Sequence, residues 1–83
     1  MSPKEFKEVR EKFGLTQIEF ASSLGLTQKT VSQYEMGFRS PGPTVKVIVS
    51  AIDTLPMNQA RKLLELMKDV SDALRDKKTR RST

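Results

Sequence analysis

The segment from Thr16 to Gly37 constrains the fold most strongly, because it predicts two short helices joined by a tight turn. Thr16 is followed three residues later by Glu19, which is the capping box that begins a helix. Gly25 can adopt the left-handed conformation that ends this helix, and Thr27 can begin the next one as its N-cap. Gly37 is placed to end the second helix in the same way.

The small and apolar residues inside this segment indicate how its two helices cross. Ala21 is a small residue at the expected contact, Gly25 lies in the turn, and Val31 is a β-branched anchor on the second helix. A steep crossing through a short turn requires these three residue types, so the pattern predicts a helix-turn-helix. Helical periodicity assigns four residues to the inner face of the first helix: Ile18, Phe20, Ala21 and Leu24.

Caps and prolines mark one helix before this unit and another after it. Ser2 and Glu5 form a second capping box, which begins a helix over residues 3–13. Pro43 can begin a later helix, and Pro56 lies just beyond its end. The apolar positions of this later helix recur on one face: Val45, Ile48, Val49, Ile52 and Leu55.

A fifth helix is predicted over residues 57–76, with apolar residues at three-four spacing for about two heptads. We expect the four earlier helices to complete a bundle within residues 1–56. The fifth helix then either packs on its own core or pairs with its copy in a dimer, and its length favours the dimer. The candidate dimerisation residues are Leu63, Met67, Val70 and Leu74.

Most of the positive charge lies at the C terminus. The net charge is +5, and residues 75–83 contribute +4 of it, with five basic side chains against one acidic. We predict that residues 77–83 form a disordered basic tail. Nearer the helix pair, Lys29, Arg39 and Lys46 predict a locally positive surface. The predicted fold class is therefore all-α: a compact five-helix domain with a longer C-terminal helix and a basic tail.

Two charged residues fall on predicted inner faces. Arg10 lies among the apolar positions Phe6, Val9 and Phe13 of the first helix, and Glu35 lies on the inner side of the third. A partly buried charge needs a partner, so we predict a structural ion pair between Arg10 and Glu35. The alternative is that Arg10 extends outward to solvent.

The residue types that the chain lacks argue against several function classes. The sequence contains no cysteine and no histidine, which removes disulfides, thiolate metal sites and the commonest general base. No apolar run approaches the roughly 20 residues of a membrane span, and the N terminus does not resemble a signal peptide. We therefore expect a cytoplasmic protein that is not an enzyme, with no catalytic residue, metal site, cofactor or membrane association.

Three motifs are specific in combination: L-T-Q-x-E-x-A over residues 15–21, G-L-T over residues 25–27 and V-S-Q-Y-E-x-G over residues 31–37. With these motifs, residues 4–56 resemble the lambda repressor/Cro-type helix-turn-helix family, also called the XRE family. The chain departs from the family pattern at Phe20, where leucine is usual, and at Met36, where asparagine or a charged residue is frequent. Both departures are interpreted as variation in packing or at the surface.

The resemblance implies a lambda-repressor-like DNA-binding domain, in which the helix over residues 28–36 lies in the major groove. Gln28 matches the first base-reading position, where its amide can pair with N6 and N7 of adenine. The expected base-reading residues are Gln28, Lys29, Ser32 and Gln33. The expected phosphate contacts are Gln17, Thr27, Arg39 and Lys46. The Arg10–Glu35 pair matches an ion pair found in some members.

Two functions are compatible with these features. The first is a sequence-specific transcriptional regulator, a repressor that binds a partly palindromic operator in double-stranded DNA as a homodimer. The second is an antitoxin-like interaction protein, which holds a partner protein such as a toxin on its fifth helix and autoregulates its operon. An enzyme is disfavoured, because the sequence offers no nucleophile–base pair with histidine or cysteine.

Overall fold

A computed structural model describes the backbone of residues 1–81 and the side chains of residues 1–75. The chain forms five helices: α1 (Pro3–Lys12), α2 (Gln17–Leu24), α3 (Gln28–Met36), α4 (Pro43–Thr54) and α5 (Met57–Arg81). The described backbone contains no β-strand. The predicted all-α, five-helix fold is therefore confirmed.

Capping boxes begin α1 and α2, as the sequence predicted. The Ser2 hydroxyl accepts the Glu5 backbone N–H at 3.1 Å, and the Glu5 carboxylate accepts the Ser2 N–H at 2.9 Å. Thr16 and Glu19 make the same two bonds at 3.1 and 2.8 Å. The bond from the backbone N–H lowers the pKa of each glutamate below its usual value. Each box thus satisfies backbone donors that have no partner within the helix.

Left-handed glycines end both helices of the central pair. Gly25 ends α2 with φ = 69°, and Gly37 ends α3 with φ = 81°. A residue with a Cβ atom is strained in this conformation, so glycine is the residue that lets the chain reverse there. The short turn between α2 and α3 follows from Gly25 and from Thr27, whose hydroxyl accepts the Thr30 N–H at 3.2 Å and caps α3.

Three aromatic rings bring α1, α2 and α3 together. The ring centroid of Phe6 lies 5.3 Å from that of Phe20 and 5.3 Å from that of Tyr34, with tilted and edge-on geometry. These rings belong to a core whose other buried apolar members are Val9, Phe13, Ala21, Val31, Val49, Ile52, Ala60 and Leu64. The α2–α3 pair is therefore fixed on a core to which all five helices contribute.

The inner face of α2 differs from the prediction at one position. Ile18 was expected on that face, but it is 64% exposed. Phe20 and Ala21, which are buried, lie on the same side of α2 as Gln17 and Leu24. Ile18 lies about 100° away from Gln17 around the helix, so its side chain faces solvent.

The first half of α5 belongs to the core. Ala60 is fully buried and Leu64 is 5% exposed, and the helix packs mainly on α2. The buried Ser23 hydroxyl of α2 donates to the Leu64 carbonyl oxygen at 3.3 Å. The expectation that four helices complete the bundle is wrong, because Ala60 and Leu64 fill part of its interior. The helix continues to Arg81, past the predicted end at residue 76, so the prediction that the basic tail, residues 77–83, is disordered is wrong for residues 77–81. The side chains of this tail lie outside those that the structure describes.

Substitution of Leu64 by alanine tests whether α5 completes the core. We expect Leu64→Ala to lower the free energy of unfolding by about 2–5 kcal/mol, because it leaves a cavity against α2. Leu66→Ala is the matched control, since Leu66 is 58% exposed on the same helix. The control should change stability by less than about 0.5 kcal/mol. Equal effects of the two substitutions in urea unfolding would contradict this packing.

Candidate nucleic-acid interface

One side of α3 is polar and faces away from the core. Val31 and Tyr34 are buried and hold the opposite side against α1 and α2. The four predicted base-reading residues share the outer side because they form two neighbouring pairs with i, i+4 spacing along the helix. Gln28 and Lys29 are exposed, and Ser32 and Gln33 are half-buried. Their amides, hydroxyl and ammonium offer hydrogen-bond donors and acceptors without a carboxylate.

Arg10 and Glu35 form the ion pair that the sequence predicted. Arg10 Nε lies 2.6 Å from Glu35 Oε2, and Arg10 Nη2 lies 3.0 Å from Glu35 Oε1. The side chains are only 13% and 5% exposed. Hydrogen bonding to Glu35 raises the pKa of Arg10, so the guanidinium stays charged. Arg10 Nη1 also donates to the Leu15 carbonyl oxygen at 2.8 Å, so one side chain ties α1, the loop before α2, and α3 together.

Gln17 connects this ion pair to the polar face of α3. Its Nε2 donates to Glu35 Oε1 at 3.2 Å, and its Oε1 accepts a hydrogen bond from Gln28 Nε2 at 2.8 Å. An ionised carboxylate only accepts hydrogen bonds, so Gln17 must turn its NH₂ group towards Glu35. The amide oxygen of Gln17 then faces Gln28, which must offer its own NH₂ group in turn.

Two hydrogen-bonding atoms of Gln28 are left for a ligand by this arrangement. They are its amide oxygen, which is an acceptor, and the second hydrogen on Nε2, which is a donor. Adenine presents the complementary pair, the N6 amino group and the N7 acceptor, in the major groove. The unused acceptor and donor of Gln28 therefore match, in chemical type, the donor and acceptor of adenine.

Sequence reasoning missed this connection through Gln17. It assigned Gln17 to a phosphate contact alone, whereas the structure also places its side chain between Glu35 and Gln28. No spacing rule joins these three positions, because they lie on two helices and meet only when α2 and α3 cross. The buried charge of Glu35 was the one available signal, since such a group gathers donors around it.

Three of the predicted phosphate contacts, Thr27, Arg39 and Lys46, lie at exposed positions. Thr27 is exposed but caps α3 through its hydroxyl, and Lys46 is exposed in the first turn of α4. Arg39 is exposed in the loop after α3, and its guanidinium carbon lies 5.9 Å from the centroid of the Tyr34 ring. The backbone N–H of Arg39 donates to the Gln33 carbonyl oxygen at 3.3 Å, so its position is tied to the end of α3.

A family model described as helix-turn-helix matches residues 6–55, which is more than half of the chain. The chain belongs to the lambda repressor/Cro-type helix-turn-helix family. It is a DNA-binding regulator of this type. No curated protein and no solved structure matches the chain significantly. In the described part of this family member, no helix is long and apolar enough to cross a membrane, and no three potential metal ligands form a group.

The matched region of this helix-turn-helix protein ends before α5 begins, so the candidate dimerisation residues lie outside it. The structure divides them into two pairs. Leu63 and Met67 are half-buried and pack against the core of their own chain. Val70 and Leu74 are 48% and 62% exposed. They line an open apolar groove of about 580 Å³ beside the α2–α3 turn, to which Met67 and Ile48 also contribute.

Removal of Glu35 tests whether the ion pair supports the whole unit. Glu35→Ala leaves the Arg10 charge partly buried without its partner, so we expect stability to fall by about 3–5 kcal/mol. The double substitution Arg10→Met/Glu35→Leu should cost less, because it removes both charges. The exposed pair between Lys12 and Asp53, at 3.0 Å, provides the control.

The control variant Asp53→Ala should change the free energy of unfolding by about 0–1 kcal/mol. Denaturant unfolding of all three variants measures these differences. A Glu35→Ala protein as stable as the control would show that the buried pair is not needed to hold α1 against α3.

Proposed function

We propose that the protein is a cytoplasmic, sequence-specific transcriptional repressor that inserts α3 into the major groove of double-stranded DNA. Membership of a DNA-binding family supports this proposal. The observation that supports its sequence specificity is the hydrogen bond from Gln28 to Gln17, which leaves the amide oxygen and one Nε2 hydrogen of Gln28 for adenine. Lys29, Ser32 and Gln33 complete the reading face, with Lys29 reaching guanine or a phosphate.

Phosphate contacts then hold α3 in register on the duplex. Gln17 begins α2, so its backbone N–H and the remaining N–H of its side chain are available to one phosphate. Arg39 and Lys46 supply positive charge after α3 and at the start of α4. Thr27 completes the phosphate set proposed from the sequence. Contacts of this kind position the protein but carry little base preference.

We further propose that the protein acts as a homodimer on a partly palindromic operator. The exposed Val70 and Leu74 and the groove beside them provide an apolar surface that a second copy would cover. Two copies would place their α3 helices in successive major grooves about one helical turn apart. The bound dimer would then repress by blocking polymerase from the promoter.

An antitoxin-like role is the second candidate, and the same groove supports it. A partner protein such as a toxin would occupy the surface of Val70 and Leu74, while DNA binding would serve autoregulation. The oligomeric state of the purified protein distinguishes the two. A dimer disrupted by Val70→Asp favours the homodimer, and a monomer at micromolar concentration favours the partner-holding role.

Binding to DNA from just upstream of the gene tests the proposed function. We expect a preference of about 10³-fold or more over a scrambled duplex of equal length, maintained as the salt concentration rises. Phosphate contacts alone would give equal and steeply salt-dependent binding to both duplexes. Equal binding at every salt concentration, repeated in a selection from random duplexes, would overturn the proposal of sequence specificity.

Alanine substitution of Gln28 separates base reading from phosphate binding. We expect Gln28→Ala to weaken cognate binding by about 1–3 kcal/mol and to relax the preference at one base pair. Arg39→Ala is the contrasting variant, which should weaken binding to all sequences and lower the salt slope by about one unit. Competition assays with single-base operator variants measure both effects. A uniform loss across all sequences for Gln28→Ala would show that Gln28 does not read a base.

A further inference from the structure

Two apolar side chains stand exposed where α3 ends. Met36 is 57% exposed at the last position of the helix, and Phe38 is 74% exposed two residues later. Neither side chain offers a donor for a phosphate oxygen or for a base edge. We call these two residues the apolar end of α3.

Met36 continues the polar reading face of α3. It follows Gln28 and Ser32 in steps of four residues, which places all three on the same side of the helix. At a rise of about 1.5 Å per residue, Met36 lies about 12 Å further along the axis than Gln28. A helix that reads bases with Gln28 therefore brings Met36 towards a base pair several steps further along the groove.

Phe38 is held at a fixed place beside this face. Its backbone N–H donates to the Gln33 carbonyl oxygen at 2.9 Å, directly after the left-handed Gly37. This bond is part of the helix C-cap, so the Phe38 backbone is fixed to α3. The backbone N–H of the neighbouring Arg39, an expected phosphate contact, donates to the same Gln33 carbonyl oxygen at 3.3 Å, so both residues are tied to the end of α3.

DNA offers one apolar group in its major groove, the C5-methyl group of thymine. We infer that Met36 and Phe38 bind thymine methyl groups and thereby determine specificity at the base pairs under the end of α3. This inference rests on the proposed function. The inference is supported by the position of the apolar end, which continues the reading face of α3. The same side of the helix then offers an amide suited to adenine, on Gln28, and apolar groups suited to thymine.

Replacement of thymine by deoxyuridine tests the inference, because it removes the methyl group and leaves every hydrogen-bonding atom. Sites selected from random duplexes should be enriched in thymine at the base pairs beyond those that Gln28 reads. A deoxyuridine at such a position should weaken binding of the native protein about fourfold, the ratio expected for one buried methyl-sized group. The ratio should fall to about one in Met36→Ala or Phe38→Ala, depending on which residue contacts that methyl group.

Met57→Ala is the matched control, since Met57 is 42% exposed at the start of α5 and away from α3 in the chain. It should keep the fourfold ratio. Three results would overturn the inference: no thymine enrichment, no deoxyuridine effect, or an effect that persists in both variants of the apolar end. These results would leave specific binding intact. Loss of all sequence preference in the native protein would instead overturn the proposed function itself.

Discussion

The buried ion pair between Arg10 and Glu35 is the interaction on which the arrangement of the DNA-binding unit depends. A buried pair adds little net stability, because desolvation of both charges offsets their attraction. Its consequence is positional, since each charge requires the other and draws further polar groups towards it. Arg10 donates a hydrogen bond to the Leu15 carbonyl oxygen, and Glu35 accepts one from the Gln17 amide. The pair thus links α1 to α3 above their shared aromatic core and sets which way Gln17 of α2 turns.

Features that depend on neighbours in the chain could be predicted from the sequence. The capping boxes at Ser2 and Thr16 and the left-handed Gly25 and Gly37 follow from spacings of a few residues, and all are present. The Arg10–Glu35 pair could also be predicted, because a charge on an apolar face requires a partner. Features that depend on how helices meet were less accessible. The role of Gln17 between Glu35 and Gln28 depends on the crossing of α2 and α3, which no spacing encodes.

The fifth helix shows why periodicity alone is insufficient. An apolar stripe looks the same whether it covers the core of its own chain or a second molecule. The structure divides the stripe along its length: Leu64 is buried in the core, whereas Val70 and Leu74 face the open groove. The groove adjoins the α2–α3 turn, and a Cβ atom at Gly25 would lie 3.9 Å from Ser71 Oγ. An occupant of this groove would therefore contact both α5 and the DNA-binding unit.

A double-mutant cycle between Gln17 and Gln28 tests most directly whether Gln17, which Glu35 holds, orients the Gln28 amide that we propose reads a base. The cycle compares native protein, Gln17→Ala, Gln28→Ala and the double variant in binding to the selected operator. If Gln17 holds Gln28 in its reading orientation, the two substitutions should be coupled by about 0.5–3 kcal/mol. The coupling should vanish on a site whose adenine under Gln28 is replaced. Additive effects within about 0.3 kcal/mol on the selected operator would contradict this connection.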